Sequence, residues 1–372
     1  MKTLENHVFR RVGDAVQARI NALPVGGKMQ DLPEALWHES FRKYYYDETR
    51  EGGPNMRMIR LDPQRPSLTV TGYIYNKFVH PNEDRFVTVR EAARLQGFPD
   101  EVVFSGTLTE TQMQVGNAVP IDLARGVLAH ILEIGQAGLP KQVRALSLFS
   151  GAGGLDIGAS HAGTRRTEIR PLLATDAWSC ACATLRGHMS KRTHVVECDI
   201  RKISRPRHWW RQVTGETEVP DIVYGGPPCQ SFSQAGKQLA EFDERGMLIF
   251  DFVRVVQKLR PNWFVMENVS NIRGAAGGRV LKRVLEAFDD AGYRVIHDVL
   301  AAEQYGAPQR RRRMFLIGTL DGAAQLSMPS PTHATEKNLL VSSTIRTVGE
   351  AFAQLPRAVP SNHLRSVALA GS

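Results

Sequence analysis

From about residue 144 onward, short apolar runs alternate with amphipathic stretches. The runs cover 145–149, 171–175, 194–196, 221–224, 263–266, 293–299 and 314–317. Their length suits strands rather than helices. The clearest amphipathic stretch sets Leu248, Phe252, Val255, Val256 and Leu259 at helical spacing and stops before Pro261, a residue that cannot continue a helix. This alternation predicts an α/β fold with a mostly parallel, doubly wound sheet. Upstream, 121–134 carries Ala124, Val127, Leu128, Ile131 and Leu132 on one face, which predicts a helix ending at Gly135. Gly138-Leu139-Pro140 then links it to the first strand. Thr88-Val89-Arg90-Glu91 reads as a capping box opening a helix over 89–96, closed by Gly97-Phe98-Pro99-Asp100. The first 80 residues and the last 50 follow no such period, and no internal repeat is visible, although Asn6-His7 is echoed by Asn362-His363.

The length of 372 residues allows one large domain and a smaller one. No apolar run approaches the ~18 residues of a membrane span. The start, Met1-Lys2-Thr3-Leu4-Glu5-Asn6-His7, lacks the apolar stretch of a signal peptide. A cytoplasmic location without membrane contact is the expectation. Four cysteines are too few for a disulfide scaffold, and Cys180-Ala181-Cys182 is not a zinc spacing, so no metal is expected. Cys180, Cys182 and Cys198 read as small buried residues, whereas Cys229 lies in a Gly/Pro-rich loop. The net charge of +9 favours an anionic partner. Basic clusters add to this: Arg310-Arg311-Arg312-Arg313, the segment 205–211, and Arg57 with Arg60.

Two segments carry candidate chemistry: Gly225-Gly226-Pro227-Pro228-Cys229-Gln230-Ser231-Phe232-Ser233 and Phe264-Val265-Met266-Glu267-Asn268-Val269. Each sets a reactive side chain just after an apolar run, where strands of an open α/β sheet end and ligands bind. A thiol beside a carboxyl group suits attack on an electron-poor ring, with the acid holding or protonating that ring. A third segment, 146–155, is a strand running through Phe149-Ser150-Gly151-Ala152-Gly153-Gly154 into a helix. Glycines let backbone approach a ligand, and a helix N-terminus offers free N–H groups. Asp156 occupies the third-glycine position of the dinucleotide fingerprint, so that motif is not met. Asp176 and Asp199 close the next two strands, suited to ribose hydroxyls and to an adenine amino group. A tight turn and two solvated carboxylates are the alternative; the three features together predict a nucleoside pocket.

The Pro-Cys and Glu-Asn-Val segments resemble those of DNA cytosine-C5 methyltransferases of the bacterial restriction-modification type. The resemblance implies a Rossmann-like, S-adenosylmethionine-dependent methyltransferase domain with a smaller target-recognition domain. It implies DNA (cytosine-5-)-methyltransferase activity on a cytosine flipped out of a specific double-stranded sequence. Phe149, Gly151, Gly153, Gly154, Leu155, Asp176, Asp199, Ile200, Pro227 and Leu248 then match positions lining the cofactor pocket. Ser147 stands where many members have Asp, and Ala177 where some have an adenine-stacking Trp, with Trp178 one residue later. Cys229 becomes the nucleophile and Glu267 the contact to N3 and N4 of the base. Gln309-Arg310-Arg311-Arg312-Arg313 resembles the family's Gln-x-Arg-x-Arg element. Arg311 and Arg313 are thereby expected to hold the active-site loop, the base oxygen and a nearby phosphate; a solvated basic face is the alternative. The polar loop 231–246 is the segment that closes over the base.

Segments 85–99 and 114–120 resemble the two elements that usually end this family, yet here they precede the glycine loop. The chain therefore looks like a circularly permuted member, with Asn117, Ala118 and Val119 on the cofactor side. The expected organisation is 1–84 and 319–372 for target recognition, 85–134 for the displaced elements and 142–318 for catalysis. Duplex DNA and a cognate restriction endonuclease are the expected partners of a monomer, nucleoid-associated when bound to DNA. Competing readings are a tRNA cytosine-C5 methyltransferase on the same scaffold, a non-catalytic nucleic-acid binder, and a nucleotide-dependent dehydrogenase. The missing third glycine and the unexplained Pro-Cys disfavour the last.

Overall fold

The computed structural model describes residues 4–49, 58–72, 74, 77–164, 166–228, 248–336, 341 and 343–361. By packing, the chain divides into two units. One comprises Met1–Asn117, Ala307–Arg310 and Ile345–Ser372, the other Ala118–Gly306 and Arg311–Thr344.

The second unit is built on seven strands: β1 Gln142–Leu148, β2 Glu168–Asp176, β3 His194–Glu197, β4 Ile222–Gly225, β5 Trp263–Val269, β6 Arg294–Ala301 and β7 Arg312–Thr319. Each overlaps one of the apolar runs. Their order in the sheet is β6-β7-β5-β4-β1-β2-β3. All pairings are parallel except those of β7, which is antiparallel to β5 and β6. The chain winds from β1 outward to β3, then returns to lay β4 against the other side of β1. That reversal opens a crevice at the carboxyl ends of β1 and β4, the place where such sheets bind ligands.

Beneath the crevice lies a core of buried apolar side chains. Phe252, Val256 and Leu259 of helix Leu248–Leu259 join Phe264 and Met266 of β5 and Val284 and Phe288 of helix Arg279–Asp290. The Phe264 and Phe288 rings stack with centroids 4.0 Å apart, adding to what their burial contributes. Helix Ile121–Ile134 buries the whole predicted face and reaches β1 through residues 135–141. Cys182 is buried as expected, but Cys180 and Cys198 are only half-buried. Cys180 lies in the first turn of helix Ser179–His188, and Cys198 follows the edge strand β3.

The first unit has short strands and a small core that includes Ile20, Leu23, Met29, Phe41, Val79 and Phe86. The capping box forms as expected: Glu91 N–H donates to Thr88 Oγ1 at 3.1 Å and Thr88 N–H to Glu91 Oε2 at 2.7 Å, opening helix Val89–Leu95. Arg60, grouped above with the basic clusters, is instead buried and donates to the carbonyls of Ile20, Leu23 and His80. Its charge serves the core of this unit rather than an anionic partner. Strand Val8–Arg10 pairs in parallel with Val359–Ser361. Beside that pair, His7 is buried, with Nδ1 2.9 Å from Thr88 Oγ1 and Nε2 2.7 Å from the Pro356 carbonyl. The carbonyl can only accept, so Nε2 carries a proton.

Among the described residues, no helix is long and apolar enough to cross a membrane, and no group of three His, Cys, Asp or Glu could hold a metal. His7→Ala removes both bonds, the buried one to Thr88 and the part-buried one to the Pro356 carbonyl. A loss of about 1–3 kcal/mol is expected in urea unfolding of this unit.

Candidate active site

β1 runs into a strained turn. Phe149 has φ +54°, in the left-handed region that side chains rarely adopt, and Gly153 has φ +88° at the start of helix Gly154–His161. A Cβ on Gly154 would lie 2.3 Å from the Val119 carbonyl oxygen. Glycine is thus required where the Ala118-Val119 segment closes on the loop. Ala118, Val119 and Leu155 are buried, while Asn117 is exposed and belongs to the first unit.

Asp176, at the end of β2, ties the loop down: its Oδ2 accepts from Gly151 N–H at 2.8 Å and its Oδ1 from Trp178 N–H at 2.9 Å. Burial raises its pKa against those two bonds. Asp199 caps the turn Ile200–Lys202 and pairs with Arg201, with Nη2 2.7 Å from Oδ2; the Arg201 bond lowers its pKa. In this conformation its carboxylate is engaged with Arg201. Ile200 and Pro227 are buried, and Phe149, Trp178 and Leu248 half-buried. A glycine cradle, a helix N-terminus and carboxylates at two successive strand ends fit the nucleoside and amino-acid parts of S-adenosylmethionine.

On the β4 side, Asn268 Nδ2 donates to the Pro227 carbonyl at 3.0 Å and so fixes the loop leading to Cys229. The Glu267 carboxyl lies against Gly226, where a Cβ would approach Oε2 to 2.8 Å. Arg313 Nε donates to Glu267 Oε1 at 2.9 Å. Burial raises the Glu267 pKa, opposed by the charges of Arg313 and Arg311. The same burial lowers both arginines, Arg311 strongly. The basic run divides sharply: Arg310 and Arg312 are exposed, Arg311 is buried and Arg313 half-buried. Cys229 and the loop 231–246 lie outside the described residues, as do Arg57 and Asn362-His363. The roles of Asn268 and Gly226 were not assigned from sequence, although both lie inside the two segments singled out there.

A doubly wound seven-stranded sheet with this crevice defines a Rossmann-like, S-adenosylmethionine-dependent methyltransferase. More specifically, the chain belongs to the C-5 cytosine-specific DNA methylase family, whose profile matches residues 20–133 and 143–365. DNA cytosine-C5 methyl transfer, with S-adenosylmethionine as donor, is the activity of that family. The chain is 36% identical over 232 residues to the Type II methyltransferase M.AquIA of Picosynechococcus sp., covering 58% of this chain and 90% of that protein. It is 35% identical over 223 residues to the Type II methyltransferase M.XorII of Xanthomonas oryzae pv. oryzae, covering 57% and 46%. It therefore spans most of the first relative and about half of the second. Among solved structures it is similar to the Dnmt2 methyltransferase of S. pombe, with 19% identity, 50% of this chain and 52% of that chain covered, and a TM-score of 0.38.

Removing the guanidinium that compensates Glu267 strands a buried carboxylate. Arg313→Ala is expected to cost about 3–5 kcal/mol in urea unfolding. Glu267→Gln, which keeps the acceptor oxygen, is expected to cost less.

Proposed function

We propose that this chain carries the whole reaction, transferring a methyl group from S-adenosylmethionine to C5 of a cytosine swung out of a specific duplex sequence. The observation that supports it best is the buried Glu267 carboxyl, held by Arg313 against the loop that leads three residues later to Cys229. C5 of an unactivated cytosine is a poor nucleophile. In this reading the Cys229 thiolate adds at C6 while Glu267 gives a proton to N3, and the resulting enamine attacks the methyl group through C5. Loss of the C5 proton to solvent, expulsion of the thiolate and return of the N3 proton restore the ring. Burial that raises the Glu267 pKa favours the proton-bearing form this step needs. Arg311 and Arg313 keep that carboxyl oriented and meet the base oxygen and an adjacent phosphate. Asp176 and Asp199 take the ribose and adenine of the donor, Asp199 after release from Arg201. Phe149, Gly151, Gly153, Gly154, Leu155, Ile200, Pro227, Leu248, Asn117, Ala118 and Val119 complete its pocket.

In the same reading, residues 1–84 and 319–372 read the target, with phosphate contacts supplying affinity and base contacts specificity. The enzyme acts as a monomer in the cytoplasm, on the nucleoid, and protects DNA from a cognate endonuclease. Its order is a permutation of the usual one. The pairing of strand Val8–Arg10 with Val359–Ser361 supports this, because both ends of the described chain enter one small sheet.

Cys229→Ser is expected to abolish transfer of labelled methyl groups to DNA while leaving cofactor binding intact; full activity would refute the mechanism. DNA containing 5-fluorocytosine is expected to trap a covalent conjugate, because no C5 proton can leave. A gene that joins the present ends and reopens between Gly138 and Leu139 restores the family's usual order. Its product is expected to fold and to methylate the same site as the parent; an insoluble or inactive product would argue against permutation.

A further inference from the structure

Behind the glycine loop sits a carboxyl group that the reaction above leaves unused. Asp156, in the first turn of helix Gly154–His161, is fully buried. Its Oδ1 accepts from the Tyr224 hydroxyl at 3.1 Å, and its Oδ2 has no hydrogen-bond partner among the described residues. Tyr224 is itself fully buried on β4, two residues before Gly226. Ser147 of β1 faces the same carboxyl, and its hydroxyl lies 2.7 Å from that of Ser150 in the loop. One acid thus stands where the glycine loop, its helix and the strand leading to Cys229 meet.

A buried carboxylate with an open oxygen is unfavourable unless something positive balances it. Among the described residues, none of the groups that chiefly act on Asp156 is a cation. Burial raises the Asp156 pKa to about 6; Ser147 and Tyr224 favour its ionised form, and Asp176 opposes it. Helix Ile121–Ile134, packed on the same helix, carries Asp122 paired with Arg125 and His130 beside Glu133, both pairs partly exposed. His188, whose Nε2 abuts Gly153, is held toward the neutral form by burial. The missing positive charge is one that the cofactor brings. S-adenosylmethionine carries a sulfonium cation, whereas the product left after methyl transfer is a neutral thioether otherwise identical to it.

We propose that Asp156 is a positioning residue whose buried charge, acting through the glycine loop, makes the pocket prefer the sulfonium form of the cofactor over the demethylated product. The idea rests on the cofactor reading given above. Because the carboxylate lies in a medium of low dielectric, its field reaches the pocket with little screening. It binds no part of the ligand. Its effect is to bias the exchange of spent for fresh cofactor. By linkage, the sulfonium ligand must in turn hold Asp156 ionised. The preference is full above the Asp156 pKa and fades as pH falls through about 6.

Calorimetric titration of the full chain with S-adenosylmethionine and with S-adenosylhomocysteine, from pH 5 to pH 7.5, tests this. For the native protein, the affinity ratio of the two ligands is expected to rise about fivefold or more across that range. In Asp156→Asn the ratio is expected to be low and flat. In Tyr224→Phe, which removes a bond favouring the carboxylate, the midpoint of the rise is expected to move to higher pH. A folded Asp156→Asn that weakens both ligands equally, or keeps the native profile, overturns the proposal. Should that variant not fold, an unmoved midpoint in Tyr224→Phe overturns it equally. If the native protein binds neither ligand, the cofactor reading itself fails.

Discussion

Much of the crevice on its β4 side depends on one ion pair and the strand register that creates it. In the antiparallel ladder between β7 and β5, Phe315 stands opposite Glu267 and Arg313 opposite Val269. Arg313 is therefore the diagonal neighbour of Glu267 on the same face, within reach of a long side chain. In the parallel ladder between β4 and β5, Gly225 stands opposite Met266, which brings Gly226 alongside the carboxyl. A slip of one residue in either ladder would turn Glu267 or its partner to the other face. The pair is short, at 2.9 Å, and nearly buried, so the carboxyl is not free to look for other partners. The position of this carboxyl is thus set by the core of the sheet.

The cofactor side follows a similar logic but across a greater distance in sequence. Gly154 can sit against the Val119 carbonyl only because it has no side chain, and Val119 enters helix Ile121–Ile134, which leads straight into β1. The contact is a matter of packing between the loop and the residues just before that helix. It does not depend on where along the chain the two segments are joined to the rest. The closeness of Val119 to the glycine loop is therefore compatible with an order where it comes first, as well as with one where it comes last.

The inner strands β1, β4, β5 and β7 were legible because they are largely runs of buried residues, the half-buried β2, β3 and β6 because they still carry short apolar runs, and the helix Ile121–Ile134 because its apolar face repeats with helical period. The glycine loop and the Glu-Asn-Val segment stood out for the same reason: they interrupt or end such runs. The first unit offered no comparable signal. Its strands are two or three residues long, and its backbone carbonyls are satisfied by buried arginines. Arg90, fully buried, donates to the carbonyls of Glu5, Pro99 and Val102, and Arg60 does the same elsewhere. An arginine serving carbonyls far away in the chain leaves no periodic trace, so Arg60 was read as part of a surface charge. Asp156 was misjudged in a related way. In sequence it only spoiled a glycine fingerprint; its burial follows from Tyr224, 68 residues later.

Two of the raised carboxyl groups, Glu267 on β5 and Asp156 on the helix after the glycine loop, are compensated differently. Burial dominates both Glu267 and Asp156. Glu267 has two guanidinium groups acting on it, which oppose the rise that burial causes. Asp156 has hydroxyls and a second acid, Asp176, as its chief partners, and none of these neutralises it when ionised. The first arrangement is suited to a group that must give up a proton and recover it in each turnover. The second is suited to a fixed charge that acts on whatever cation arrives. Carboxyl groups set apart by environment in this manner commonly take distinct tasks in a single site. The two lie apart: the acid paired with Arg313 is on β5, beside the loop leading to Cys229, and Asp156 is behind the glycine loop after β1.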